Sequence, residues 1–225
     1  MIRAIVTDIE GTTSSLSFVK EVLFPYAREH LGSYIREHSD EQAVIEQLQA
    51  AALAAGTRDT GLEAIIAILC RWIDEDQKLT PLKALQGMVW EQGYRNGDFH
   101  GHVYADVEPV LRRWHEQGLV LAVYSSGSVQ AQKRLFGHTE AGNLTPLFSA
   151  YFDTRVGPKG EAGSYQRITE SLAINAHEIL FLSDIDTELE AAQSAGLQTW
   201  QLVRDGDINA DVPYRQARNF EEIVL

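Results

Sequence analysis

A short β-branched run, Ala4 to Thr7, stops at Asp8, and the chain then travels from Ser14 to about Gly97 without another convincing strand. No other feature of the sequence restricts the fold as much. Beyond the interruption, apolar runs at Leu119 to Tyr124, Tyr151 to Asp153, Ile179 to Ser183 and Gln198 to Val203 are separated by helical patterns over Val129 to Phe136, Ser164 to Leu172 and Thr187 to Ala195. Such alternation implies a doubly wound parallel α/β sheet, Rossmann-like, with right-handed crossovers. Ligands of these sheets bind at the carboxyl ends of the strands.

The interrupting segment reads as helix throughout. Phe18, Val22, Ala27, Leu31, Tyr34 and Ile35 keep an approximately helical spacing, with Pro25 expected to kink or restart the helix. Further helices are predicted over Glu41 to Ala54 and Leu62 to Ile73, and a third begins with Thr80 as N-cap and Pro81 at the first helical position, ending before Asn96 and Gly97. In the remainder, Asp106 reads as an N-cap with Pro109 in the first turn and Gly118 as the stop, while Gly137 and Gly196 close later helices. The expected organisation is a catalytic core of residues 1–13 and 98–225 with residues 14–97 inserted as a helical cap after strand one. An insertion at that point would hang over the strand ends, which is the position of a lid.

Charge narrows the partners. Lys plus Arg number 19 and Asp plus Glu 32, for a net charge of −13. A chain without basic runs lacks the footprint that nucleic acid requires, whereas a small anion remains possible if its site brings local positive charge. No stretch approaches the roughly 20 apolar residues of a membrane span, and the first residues reach acids too soon for a secretory signal. The single cysteine, Cys70, excludes an intrachain disulfide and a Cys-rich metal site, and it reads as a small buried hydrophobe in IIAILCRW. A cytoplasmic, monomeric chain is expected.

The chemistry gathers at the strand ends. Asp8 and Glu10 leave strand one at alternate positions, so their carboxylates lean toward the same side. Strand two runs into Tyr124-Ser125-Ser126-Gly127-Ser128 and then a helix, which offers hydroxyls and backbone N–H groups suited to a phosphate. Lys159 follows in the turn Gly157-Pro158-Lys159-Gly160, and strand four ends in Ser183-Asp184-Ile185-Asp186-Thr187-Glu188. Singly, these are an acid cap, a Ser N-cap, a solvated lysine and an exposed acid cluster. Their succession at one edge of one sheet is what points to a site. Two bare carboxylates about 4 Å apart repel by about 4 kcal/mol at an effective dielectric near 20, so Asp8 and Asp184 would need a cation. Mg²⁺ suits, since it takes one or two carboxylates and bonds phosphate oxygens.

The segments DIEGTT, YSSGS, KGEAGSY and FLSD resemble the haloacid dehalogenase superfamily of aspartate-nucleophile phosphotransferases. Within it the chain is most similar to the enolase-phosphatase family of methionine salvage, a likeness that spans nearly the whole sequence and includes FVKEVLFPYAREHL. Most phosphatases of the superfamily carry Asp two residues after the nucleophile, where this chain has Glu10, the residue expected of an enolase-phosphatase. The resemblance implies that Asp8 is the nucleophile and a ligand of one Mg²⁺, and that Glu10 binds the metal through its backbone carbonyl while its carboxyl moves protons. It further implies that Ser125 and Ser126 hold the phosphoryl group with Gly127 supporting the turn, that Lys159 neutralises its charge, that Asp184 completes the metal shell and that Glu188 orients water. The implied substrate is a small phosphorylated diketone, enolised before its phosphate is removed, with Glu10 the first candidate for the base. An apolar patch from Phe18, Val19, Phe24 or Trp90 would receive its methylthio end.

Other readings are a sugar-phosphate or general metabolite phosphatase of the same superfamily, a dehalogenase, and a receiver-type signalling module. Glu10 argues against the first, the paired acids against the second, and the length of the insertion against the third. His100-Gly101-His102 has ligand-like spacing but reads as a loop; Trp72, Trp90, Trp114 and Trp200 read as core, and Glu41, Glu46 and Glu63 as solvated helix faces.

Overall fold

The computed structural model describes residues 1–209 and 211–225. They divide into a unit of Met1–Leu16 with His100–Leu225 and a unit of Ser17–Phe99. The chain becomes helical at α1 (Leu16–Phe18), winds wider over Val19–Leu23, and continues as α2 (Phe24–Glu37), α3 (Gln42–Ala55), α4 (Leu62–Asp74) and α5 (Thr80–Asn96). The wide turn has a local cause: the Phe24 N–H reaches back five residues to the Val19 carbonyl, and Pro25, next in line, has no N–H to give. Leu31, Ile35, Ile65, Leu69, Trp72, Leu85 and Val89 form this unit's own core. Cys70 lies half-buried at its margin rather than inside it. Trp90 is also half-buried, its indole N–H donating to the Leu23 carbonyl at 2.7 Å. Thr80 is the first helical residue of α5, and Leu79 rather than Thr80 occupies the cap position. Glu63 is exposed but paired with Arg36 Nε and Nη2, each at 2.8 Å, an ion pair that water and salt screen.

In the other unit, six strands among the described residues form one parallel sheet: β1 (Ala4–Thr7), β2 (Val120–Tyr124), β3 (Ala150–Phe152), β4 (Ile179–Ser183), β5 (Gln198–Leu202) and β6 (Arg215–Ala217), in the order β3-β2-β1-β4-β5-β6. β1 is buried along its whole length, as a central parallel strand must be when both its faces are covered. Its register sets Thr7 against Val123 on one side and Leu182 on the other. Val6, Tyr124 and Phe181 pack with Tyr165 and Ile168 and with Leu189. The flanking helices are α6 (Val107–Glu116), α7 (Val129–Gly137), α8 (Ala162–Leu172) and α9 (Asp186–Ser194). Gly196, just past α9, takes φ +89°, the left-handed conformation that ends a helix.

The structure departs from the sequence pattern at three further points. β6 has no counterpart among the apolar runs, because a three-residue edge strand with only Ala217 buried carries no such pattern. Asp106 stands at the start of α6 yet caps nothing with its side chain; both its oxygens accept from Arg204, at 2.8 and 2.9 Å. Gly137 is the last residue of α7, which His138 closes. No helix among the described residues is long and apolar enough to cross a membrane.

Candidate active site

From β1 the chain passes to β2 and β3 on one side and then to β4, β5 and β6 on the other, so the winding direction reverses at β1. At such a switch point the crossover helices diverge and leave a crevice outside the strand carboxyl ends. Asp8 follows β1 directly, Ser125 follows β2 and Asp184 follows β4, which brings three of the expected residues to that crevice. The Asp8 N–H extends the ladder to the Leu182 carbonyl at 2.9 Å, so the backbone of the acid is fixed by the sheet.

Lys159 is the centre of charge. Its Nζ lies 2.5 Å from Asp8 Oδ1 and 2.6 Å from Glu188 Oε2, and all three side chains are nearly enclosed. The loop carrying Lys159 is held by three hydroxyls: Tyr124 donates to the Gly157 carbonyl at 2.9 Å, Ser164 to that of Pro158 at 2.7 Å and Tyr165 to that of Lys159 itself at 2.7 Å. Glu188 is anchored in turn by Ser183, whose hydroxyl donates to it at 2.7 Å and accepts from the Ile185 N–H at 3.1 Å. Ser183 was not singled out in the sequence. The available signal was a hydroxyl on the last residue of a buried strand, directly before Asp184.

Burial pushes the Asp8 carboxyl up to about 7, against the pull of Lys159 and with the help of the Glu188 charge. Burial disfavours the charge on Lys159 as well, but the two carboxylates outweigh it and raise its pKa. The sign for stability follows from the Asp8 shift. Below the unfolded value of 3.8 the acid is protonated in both states; between there and about 7 the native state keeps a proton that the unfolded chain has lost. The ionised acid therefore costs stability progressively as pH rises across that window. In metal-free protein, Asp8→Asn should gain several degrees in Tm over wild type at pH 8 and much less at pH 4, measured by thermal melts in EDTA. An equal gain at both pH values would mean that Asp8 ionises normally.

Asp184 lies against the first loop. Thr12 Oγ1 donates to its Oδ1 at 3.4 Å, and Gly11, at φ +77°, approaches so closely that a Cβ there would stand 2.2 Å from Asp184 Oδ2. Burial, reinforced by the nearby Glu188, raises the Asp184 pKa too. Glu10 is half-exposed in the same loop, where the carbonyl of Ile9 accepts from the N–H groups of Thr12, Thr13 and Ser14. Thr12 is a second residue that the sequence reading left without a role.

The serine turn is more occupied than expected. Ser125 is buried, its N–H bound to the Phe152 carbonyl at 3.1 Å and its hydroxyl oxygen accepting from Gly127 N–H at 3.1 Å. Ser128 caps α7 by accepting from Ala131 N–H, and Asp153 accepts from Val129 N–H at 3.3 Å. Besides that of Ser125, three N–H groups of the helix start are thus already bonded within the protein. What the turn offers is the exposed Ser126 and the Ser125 hydroxyl proton. Gln132 secures the turn from below, its amide donating at 2.8 Å to the carbonyls of Gly127 and Phe152.

Other residues stand apart. His102 Nδ1 accepts from Ser15 N–H at 3.0 Å and burial lowers its pKa, so this histidine braces the start of the chain as a neutral ring. Asp186 is exposed and accepts from Gln201 at 2.5 Å. Among the described residues no three Asp, Glu, His or Cys side chains converge as a metal cluster.

The chain is similar to known proteins over most of its length. Residues 2–196 match the family model for haloacid dehalogenase-like hydrolases. Enolase-phosphatase E1 of Methylococcus capsulatus is 57% identical over 223 residues, covering 99% of this chain and 98% of that protein. Enolase-phosphatase E1 of Pseudomonas aeruginosa is 58% identical over 205 residues, covering 91% of each. The crystal structure of the unknown transcript 4 protein of Saccharomyces cerevisiae superposes with a TM-score of 0.84 at 33% identity, over 99% of this chain and 100% of that one. With its acids, lysine and serine turn gathered where the sheet changes direction, the chain belongs to the haloacid dehalogenase-like hydrolases and, among them, to the enolase-phosphatase family.

Proposed function

We propose that the protein is a Mg²⁺-dependent enolase-phosphatase that converts 2,3-diketo-5-methylthiopentyl 1-phosphate into acireductone and phosphate, a step of methionine salvage. One observation carries the reading: the Lys159 ammonium is locked between Asp8 and Glu188 at the switch point, in a site whose loop has Glu10 two residues after Asp8. The enolase-phosphatase relatives support the pairing of two activities in one chain.

The donor set fits a hard cation. Asp8, Asp184 and the backbone carbonyl of Glu10 offer oxygen only, both carboxyls are raised by burial, and Gly11 leaves no side chain between the loop and Asp184. When bound, Mg²⁺ supplies positive charge beside phosphoryl oxygens and Lewis acidity toward a ketone oxygen.

The chain's own groups divide the remaining work. Lys159 neutralises the phosphoryl group, and the hydroxyls of Ser125 and Ser126 orient it. An Asp8 oxygen attacks phosphorus in line; the bond to the leaving oxygen breaks, and the Glu10 carboxyl delivers a proton to that oxygen. Water then cleaves the aspartyl phosphate, returning its proton to Glu10, so one slow hydrolysis becomes two easier steps. For the preceding enolisation, Glu10 is the candidate to take the proton beside the carbonyl.

Purified protein given the diketo phosphate and Mg²⁺ should release phosphate and develop acireductone absorbance in the near ultraviolet. Phosphate release without that chromophore would remove the enolase half, and turnover of sugar phosphates alone would favour a general phosphatase. Gly11→Ala should raise the Mg²⁺ concentration for half activation by about 10- to 100-fold, because its Cβ claims the space of Asp184 Oδ2. A metal titration unchanged from wild type would show that Asp184 holds no metal.

A further inference from the structure

Arg204, two residues past β5, is buried to 7% side-chain exposure and has no part in the chemistry above. Its Nε and Nη2 both donate to one atom, the Thr12 carbonyl, at 2.9 and 2.7 Å. Its Nη1 donates to both oxygens of Asp106 at 2.8 and 2.9 Å and more distantly to the Arg218 carbonyl at 3.4 Å. The guanidinium lies 4.1 Å from the centre of the Tyr104 ring and 5.3 Å from that of Phe220. The frame around it is tied down separately, since Asp106 also accepts from Phe220 N–H at 2.8 Å and Tyr104 N–H donates to the Thr13 carbonyl at 3.0 Å.

Thr12 links this arrangement to the site. Its carbonyl is pinned by Arg204 while its hydroxyl touches Asp184, and Gly11, the residue before it, is the one that meets Asp184 at sub-van der Waals range if given a Cβ. Only a planar fork of donors can hold one carbonyl twice and a carboxylate as well; a lysine ammonium could serve one partner or the other. We propose that Arg204 is a positioning residue which, through Thr12, fixes the first loop at the separation from Asp184 that a single divalent cation requires. The inference rests on the metal-dependent reading above and deepens it.

The test titrates Mn²⁺ into metal-free protein without substrate, following the paramagnetic resonance signal of the free ion. Arg204→Lys and Thr12→Val should each raise the Mn²⁺ dissociation constant by about 10-fold, within the range that outer-shell partners of metal sites contribute. Thr12→Ser, which keeps the hydroxyl, should bind as wild type does, a rescue that a purely packing role would not predict. Should Arg204→Lys fail to fold in a thermal melt, Arg204→Gln, which keeps an amide donor for the Thr12 carbonyl but loses the second one and the charge, is titrated in its place with the same expected rise. Thr12→Val binding Mn²⁺ within twofold of wild type overturns the proposal, as does a folded Arg204→Lys that does so. Wild type that binds no Mn²⁺ would instead remove the metal-dependent reading, and the positioning role with it.

Discussion

Asp8→Asn should lower phosphate release by about 10⁴-fold or more at saturating substrate and Mg²⁺, the scale on which removal of a covalent nucleophile is felt. Asparagine has the same shape and keeps the N–H bond to the Leu182 carbonyl that fixes residue 8 at the end of β1. The fold therefore survives, and the loss falls on bond formation to phosphorus. The variant also exchanges a buried acid for a neutral amide, so inactivity should accompany a higher Tm of the metal-free protein above pH 7. That pairing separates a lost nucleophile from a damaged protein. A phosphate-release assay showing turnover within tenfold of wild type would assign the attack to another group.

Lys159→Met should lower kcat by about 10³-fold and move the acidic limb of its pH profile upward. Methionine fills much of the same volume but leaves Asp8 and Glu188 facing one another without the charge between them. At about 4 Å two such charges repel by about 4 kcal/mol at an effective dielectric of 20. Because Lys159 lowers the Asp8 pKa and Glu188 raises it, removing the lysine can only push Asp8 further up. The ionised nucleophile then becomes available at higher pH. A kcat–pH profile whose acidic limb stays in place would show that Lys159 is not the counter-charge of Asp8 during turnover.

The parts of this molecule that were legible in its sequence are those built from local repetition. β1, β2 and β4 are buried on both sides, and so they read as unbroken apolar runs. The acids and serines were visible because they interrupt those runs at their ends. β6 was not visible, since Arg215 and Gln216 carry no burial pattern. Neither was Arg204, whose partners Asp106 and Thr12 stand 98 and 192 positions away and whose meaning depends on the order of β5 in the sheet. Glu188 was named through resemblance, yet its tie to Ser183 and Lys159 is a property of packed side chains. The serine turn shows the opposite error, for a helix start counted as a row of free donors had already spent three of them internally.

The position of β1 in the sheet has a consequence for how the chain comes into being. Ala4 must find Val120 on one side and Ile179 on the other, while the helices of Ser17–Phe99 bury their apolar faces among near neighbours in sequence. Local contacts form early and distant pairings late. During synthesis the helical unit can complete its core while the first strand still waits, unpaired on both edges, for segments the ribosome has not yet delivered. The segment bearing the nucleophile is thus made before either of its partners and is among the last secured.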